Sequence, residues 1–118
     1  MSNFITLGQA IALTQRYRQF QETMLMPEFR NKGTLPVCET FDSTAFSTLI
    51  GQAGCVSIRV YLGMDQDLKV RVLAVGVNDQ GEDILPAAAP GNVMDGGGSI
   101  VEDGQRCPDI CHPSPLNE

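Results

Sequence analysis

The sequence predicts a small α+β fold: two helices packed on one face of a small antiparallel sheet, in the order helix, helix, hairpin, short strand, with an irregular C-terminal tail. Three observations predict it. Apolar residues recur at helical spacing through the first part of the chain, then alternate over residues 55–62 and 68–77. Beyond Leu85, five Pro and five Gly fall in the last 33 residues. Pro removes a backbone donor and Gly costs entropy when ordered, so neither helix nor sheet is favoured there. The organisation expected is therefore a body over 1–85 and an acidic tail over 86–118.

The first helix starts at Thr6. Gln9 stands three residues on, which is the capping-box spacing, and Ile5 and Ala10 flank it as a staple pair. Leu7, Ala10, Ile11, Thr14, Tyr17, Phe20 and Met24 then form one stripe, and Pro27 should end the helix. After a loop containing "NKG", a second helix is expected from Asp42 or Ser43. It presents Phe46, Leu49, Ile50 and Ala53 and stops at Gly54.

Next, "CVSIRVYL" and "LKVRVLAVGV" flank the loop "GMDQD", which suits a hairpin. Pairing Leu62 with Leu68 places Val56, Ile58, Val60, Leu62, Leu68, Val70, Val72 and Ala74 on one face, expected to be the core face. The other face then sets Arg59 opposite Arg71 and Tyr61 opposite Lys69. Like charges across a strand pair are unfavourable unless a negative group balances them. Solvent and nearby carboxylates such as Asp65, Asp67 or Glu82 are one answer. The sharper one is that Arg59, Tyr61, Lys69 and Arg71 dock an acidic segment, from this chain's tail or from a partner. Leu73, Val75 and Val77 make the rest of that face apolar, so a cover is expected, and a second copy of the chain is one candidate. "NDQG" turns the chain again, and "EDIL" supplies the short third strand.

The totals bound the function. With 118 residues, 42% hydrophobic and 19% charged, the chain is globular and has room for one modest core. A net charge of −6 argues against nucleic acid, whose phosphates need clustered Lys and Arg. No run approaches the roughly 20 apolar residues that span a bilayer. The start of the chain lacks the basic, apolar and small-residue zones of a signal peptide, so a cytoplasmic location is expected. The tail holds Asp95, Glu102, Asp103, Asp109 and Glu118 against Arg106, and so carries most of the net charge.

Without an export signal, the four cysteines read as reduced thiols or metal ligands rather than a disulfide framework. Cys107 and Cys111 have a spacing that paired zinc ligands can use, and His112 would be a weaker third ligand. A fourth would have to come from Cys38 or Cys55, which otherwise read as small buried hydrophobes. A Cys107–Cys111 disulfide is the alternative in an oxidising compartment. "CPDIC" has one residue too many for a Cys-x-x-Cys dithiol, and haem attachment wants Cys-x-x-Cys-His. The acidic loops "DQD" and "NDQGED" do not follow the calcium-loop spacing. "DGGGS" has no strand before it and no helix after it, as a phosphate loop would need. His112 is the sole histidine, and no nucleophile–base pair is visible.

Three segments together, "GCVSIRVYLGMD", "LAVGVNDQGEDIL" and "EDGQRCPDICHPSPLN", resemble a set of short, functionally uncharacterised bacterial proteins. These share a GC-x-x-IR-x-Y-x-GMD hairpin and a Gly-x-x-Cys-Pro…Cys…Pro-Leu-Asn tail. The resemblance covers roughly the C-terminal two-thirds and, more loosely, the first helix. It implies no activity, cofactor or partner. In that pattern a Pro or other small residue often follows the second cysteine, where this chain has His112. The resemblance thus puts forward the two cysteines and not the histidine.

The function expected from the sequence is a non-enzymatic protein-interaction or assembly module. It would contact itself, as a homodimer, or another protein through the outer sheet face and the acidic tail. A small zinc- or thiol-dependent binding protein built on Cys107 and Cys111 is the alternative. No other cofactor is expected.

Overall fold

The computed structural model describes residues 3–86, 98–107 and 110–117. The stretch 95–97 of "DGGGS" and residues 108–109 of "CPDIC" lie outside them. The chain divides into two compact units, one formed by Met1–Cys38 with Arg106–Glu118, the other by Glu39–Gln105.

In the first unit, α1 runs Leu7–Phe20. Its start follows from the sequence. The Thr6 hydroxyl accepts from the Gln9 N–H at 3.0 Å while the Gln9 side chain accepts from the Thr6 N–H at 2.9 Å, completing the capping box. The helix stops a turn before the predicted Met24. There the Phe20 carbonyl accepts from both the Met24 N–H at 3.0 Å and the Thr23 hydroxyl at 3.1 Å. A single 3-10 turn, Pro27–Phe29, follows. Asn31 and Gly33 at positive φ then bring the chain around through "NKG".

Returning at Arg106, the C-terminal segment closes this unit. The Arg106 side chain is 2% exposed and donates to the carbonyls of Gly33 and Thr34 at 2.9 and 3.3 Å. The Cys107 carbonyl accepts from the Val37 N–H at 2.7 Å. From α1, the Tyr17 hydroxyl donates to the Pro36 carbonyl at 2.7 Å, Gln21 donates to the Leu35 carbonyl, and Arg18 donates to the Leu116 carbonyl.

The second unit is built on a hairpin. Strands β2, Ser57–Met64, and β3, Val70–Val77, pair antiparallel in a four-stranded sheet. Along the far edge of β3 run two short antiparallel strands: β4, Asp83–Ile84, beside Gly76 and Val77, and β5, Ile100–Val101, beside Ala74 and Val75. Helix α2, Ser43–Ile50, is capped by Asp42, whose carboxylate accepts from the Thr44 N–H at 3.1 Å. It packs on β2, β3 and β5. Leu49, wholly buried, anchors it. Gly76 lies close beneath it: a Cβ there would stand 2.7 Å from Gln52 Nε2 and 2.9 Å from Cys55 Sγ, so both side chains would have to move. Two further strands, β1, Cys38–Thr40, and β6, Gln105–Cys107, form a two-stranded sheet.

The predicted fold class is thus corrected. Helix and strand are both present, but among the described residues of the unit that holds the four-stranded sheet α2 is the only helix, because α1 belongs to the other unit. The tail is not irregular throughout, although residues 98–99, 102–104 and 110–117 are neither helix nor strand. It supplies β5 to the hairpin sheet and β6 to the second sheet.

The hairpin register is corrected too. Leu62 lies opposite Val72 and not Leu68, a slip of four residues, and the loop is Asp65–Lys69. Asp65 decides it. Its carboxylate accepts from the N–H groups of Asp67 and Lys69 at 2.9 and 3.0 Å, and Leu68 takes a positive φ of 63° in the turn. A slip of four preserves face parity. Even-numbered residues of both strands still share one face and odd-numbered residues the other.

Candidate functional site

The register separates residues that the sequence had paired. Arg59 lies opposite Val75, Tyr61 opposite Leu73, and Arg71 opposite Gly63, while Lys69 sits in the loop. Arg59 and Arg71 share a face but are not cross-strand neighbours, so the like-charge contact is avoided.

Each arginine has its own carboxylates. Arg59 donates to Asp83 at 2.6 Å and to the Gly81 carbonyl at 3.2 Å, and the Tyr61 hydroxyl donates to the other Asp83 oxygen. Asp83 therefore gathers two β2 side chains across β3. Hydrogen bonding with Tyr61 and Asp83 holds the Arg59 guanidinium above its ordinary pKa. Arg71 lies among Glu39, Asp65 and Asp103, at 3.6, 3.8 and 3.8 Å. It donates to the Gly104 carbonyl at 3.1 Å. Its Nε and the Glu39 Oε2 are both buried without a hydrogen-bond partner. Beside it opens a groove of about 430 Å³ lined by Gly63, Met64, Asp65, Leu73, Glu102 and Asp103. Of these partners the sequence reading named Asp65 and, within the acidic tail, Asp103. Glu39 and Asp83 were missed, because nothing local in a sequence ties them to a strand 24 to 33 residues away.

Cys107 and Cys111 are joined in a disulfide, their Cα atoms 4.7 Å apart. Zinc binds thiolates, and a disulfide sulfur is not one, so in this state the pair cannot serve as metal ligands. Among the described residues no three His, Cys, Asp or Glu side chains gather as a metal site. Cys38 and Cys55 are free thiols. The His112 carbonyl accepts from the Asn117 amide at 2.9 Å. No described helix is long and apolar enough to cross a membrane.

The unexpected surface is the even face of β2. Val60 and Leu62, read from sequence as core, are 58 and 75% exposed, and Met64, read as part of the loop, is 56% exposed, whereas Ala74, opposite Val60, is buried. Arg59 is the one charged residue in the strand. Compared with known proteins, the chain matches no family model, no curated protein and no solved structure.

β2 is also the terminal strand of its sheet. Since the Asp65 N–H bonds the Lys69 carbonyl, the odd-numbered β2 residues form the bonded pairs with β3. The N–H and C=O groups of Ile58, Val60 and Leu62 therefore point to the outer edge. An extended edge of this length, apolar on one face, usually carries a charge or bulge that prevents pairing. The even face of this strand carries no charge.

Proposed function

We propose that the chain is a non-enzymatic protein-interaction module that takes a partner's extended segment along the outer edge of β2. One observation carries this reading: among the described residues nothing pairs with the outer backbone edge of β2, and Val60, Leu62 and Met64 on the same strand are exposed. Main-chain ladder bonds would supply affinity, and the alternating side chains would supply selectivity. The arginines first expected to dock the partner have a different part. With Arg59 held by Asp83, and Arg71 among Glu39, Asp65 and Asp103, they brace the face opposite the apolar stripe.

The test is a photo-crosslinking residue placed at Leu62, with the same residue at Asp79 in the exposed turn as the comparison. Covalent protein adducts should form from position 62 and not from position 79. Equal adducts at both sites, or none at 62, would remove β2 as the docking edge.

A further inference from the structure

We infer that the partner on β2 is a second copy of this chain, which adds its own β2 antiparallel to this one about a two-fold axis at Val60. The inference rests on the docking reading above and adds the identity of the partner.

An isologous pair requires a strand that is complementary to its own reverse. Ser57–Met64 meets that condition on both faces. With Val60 on the axis, Ile58 falls opposite Leu62 of the copy, so apolar meets apolar along the even face. The outward N–H and C=O groups of Ile58, Val60 and Leu62 are then in phase to exchange ladder bonds. On the odd face, Arg59 falls opposite Tyr61 of the copy and not opposite its own equivalent. A guanidinium beside a phenol ring is favourable, whereas two arginines directly across would repel. The charge of Arg59 is moreover balanced inside each copy by Asp83 at 2.6 Å. The pairing edge therefore brings no unbalanced charge to its mate.

The geometry makes a residue-by-residue statement about backbone amides. Those of Arg59 and Tyr61 bond β3 within each copy and are protected whether or not a second copy is present. Those of Ile58, Val60 and Leu62 become protected only on pairing.

Sedimentation equilibrium of the purified full chain, with amide exchange resolved along β2 at low and high protein concentration, tests this. A dimer is expected, with exchange at Ile58, Val60 and Leu62 slowing as concentration rises. Val60→Lys should abolish the dimer and this slowing while Arg59 and Tyr61 stay protected, which shows that the sheet still folds. A chain that stays monomeric at millimolar concentration overturns the second copy. So does protection of the even-numbered amides in a strict monomer, since the chain would then cover its own strand. In either case a position-62 crosslink to a different protein would leave the docking reading standing. A dimer whose even-numbered amides stay open overturns the pairing through β2, and the position-62 crosslink then decides the docking reading separately.

Discussion

Glu39 does the work of a missing strand. Beyond β5 the edge of β3 has no neighbour at Val72, and there the Glu39 carboxylate accepts the Val72 N–H at 2.9 Å. Its side chain is 1% exposed, and the Arg71 guanidinium stands 3.6 Å away as its counter-charge. Removing the carboxylate strands a half-buried donor and leaves Arg71 with fewer balancing charges. Each loss costs about 1–3 kcal/mol, discounted for the guanidinium because it is partly exposed. Glu39→Ala should therefore lower the unfolding free energy by about 2–4 kcal/mol, read from urea denaturation followed by circular dichroism. Glu39→Gln keeps an acceptor for Val72 and loses only the charge, so it should cost less than Glu39→Ala. Equal losses in the two variants would mean that the strand-edge bond contributes nothing.

At the scale of elements, the first unit holds α1 to the loop at 33–37 through a few polar contacts rather than through a core. No residue of α1 is buried. Tyr17 is the contact that can be titrated. Burial raises its pKa above the ordinary phenol value, with the Arg106 charge acting the other way. The unfolded chain therefore loses this proton first. The contribution is fully present below the ordinary value of about 10 and disappears as pH rises through the higher folded value. Thermal melts should show the wild type losing stability above about pH 10 more steeply than Tyr17→Phe; parallel pH profiles would mean that burial does not hold the phenol protonated. Elements with local signals were legible in the sequence: the capping box at Thr6 and Gln9, the Asp42 cap, and the two faces of the hairpin. The register was not, because a four-residue slip leaves the apolar alternation unchanged and only the Asp65 turn distinguishes the two. Strands β1, β5 and β6 are two or three residues long, too short to carry a period, and their partners are distant in sequence. Of the candidate site, the alternating strand was legible. Its exposure was not, because period two separates the faces without saying which one is covered.

For the whole molecule, charge distribution sets how association should answer to salt. The unit Glu39–Gln105 holds ten acidic and three basic side chains, a net −7 beside the chain's −6, so the excess negative charge resides with the docking strand. β2 itself is nearly neutral, its Arg59 balanced by Asp83. Two copies that meet along β2 therefore gain from backbone and apolar contact at the edge and are opposed by repulsion between their acidic surrounds. The repulsion is long-ranged and screened: the Debye length is about 30 Å at 0.01 M salt and about 10 Å at 0.1 M. Apolar burial and ladder bonds respond little over the same range. Self-association should thus tighten as salt rises from about 0.01 to 0.3 M, by a few-fold up to about tenfold, the latter being about 1.4 kcal/mol of relieved repulsion. Sedimentation across a salt series measures it directly. A basic partner would show the reverse slope, because salt screens an attraction between opposite charges. A dimer that loosens with salt would place oppositely charged surfaces at the contact, and no two-fold pairing of β2 with itself does that.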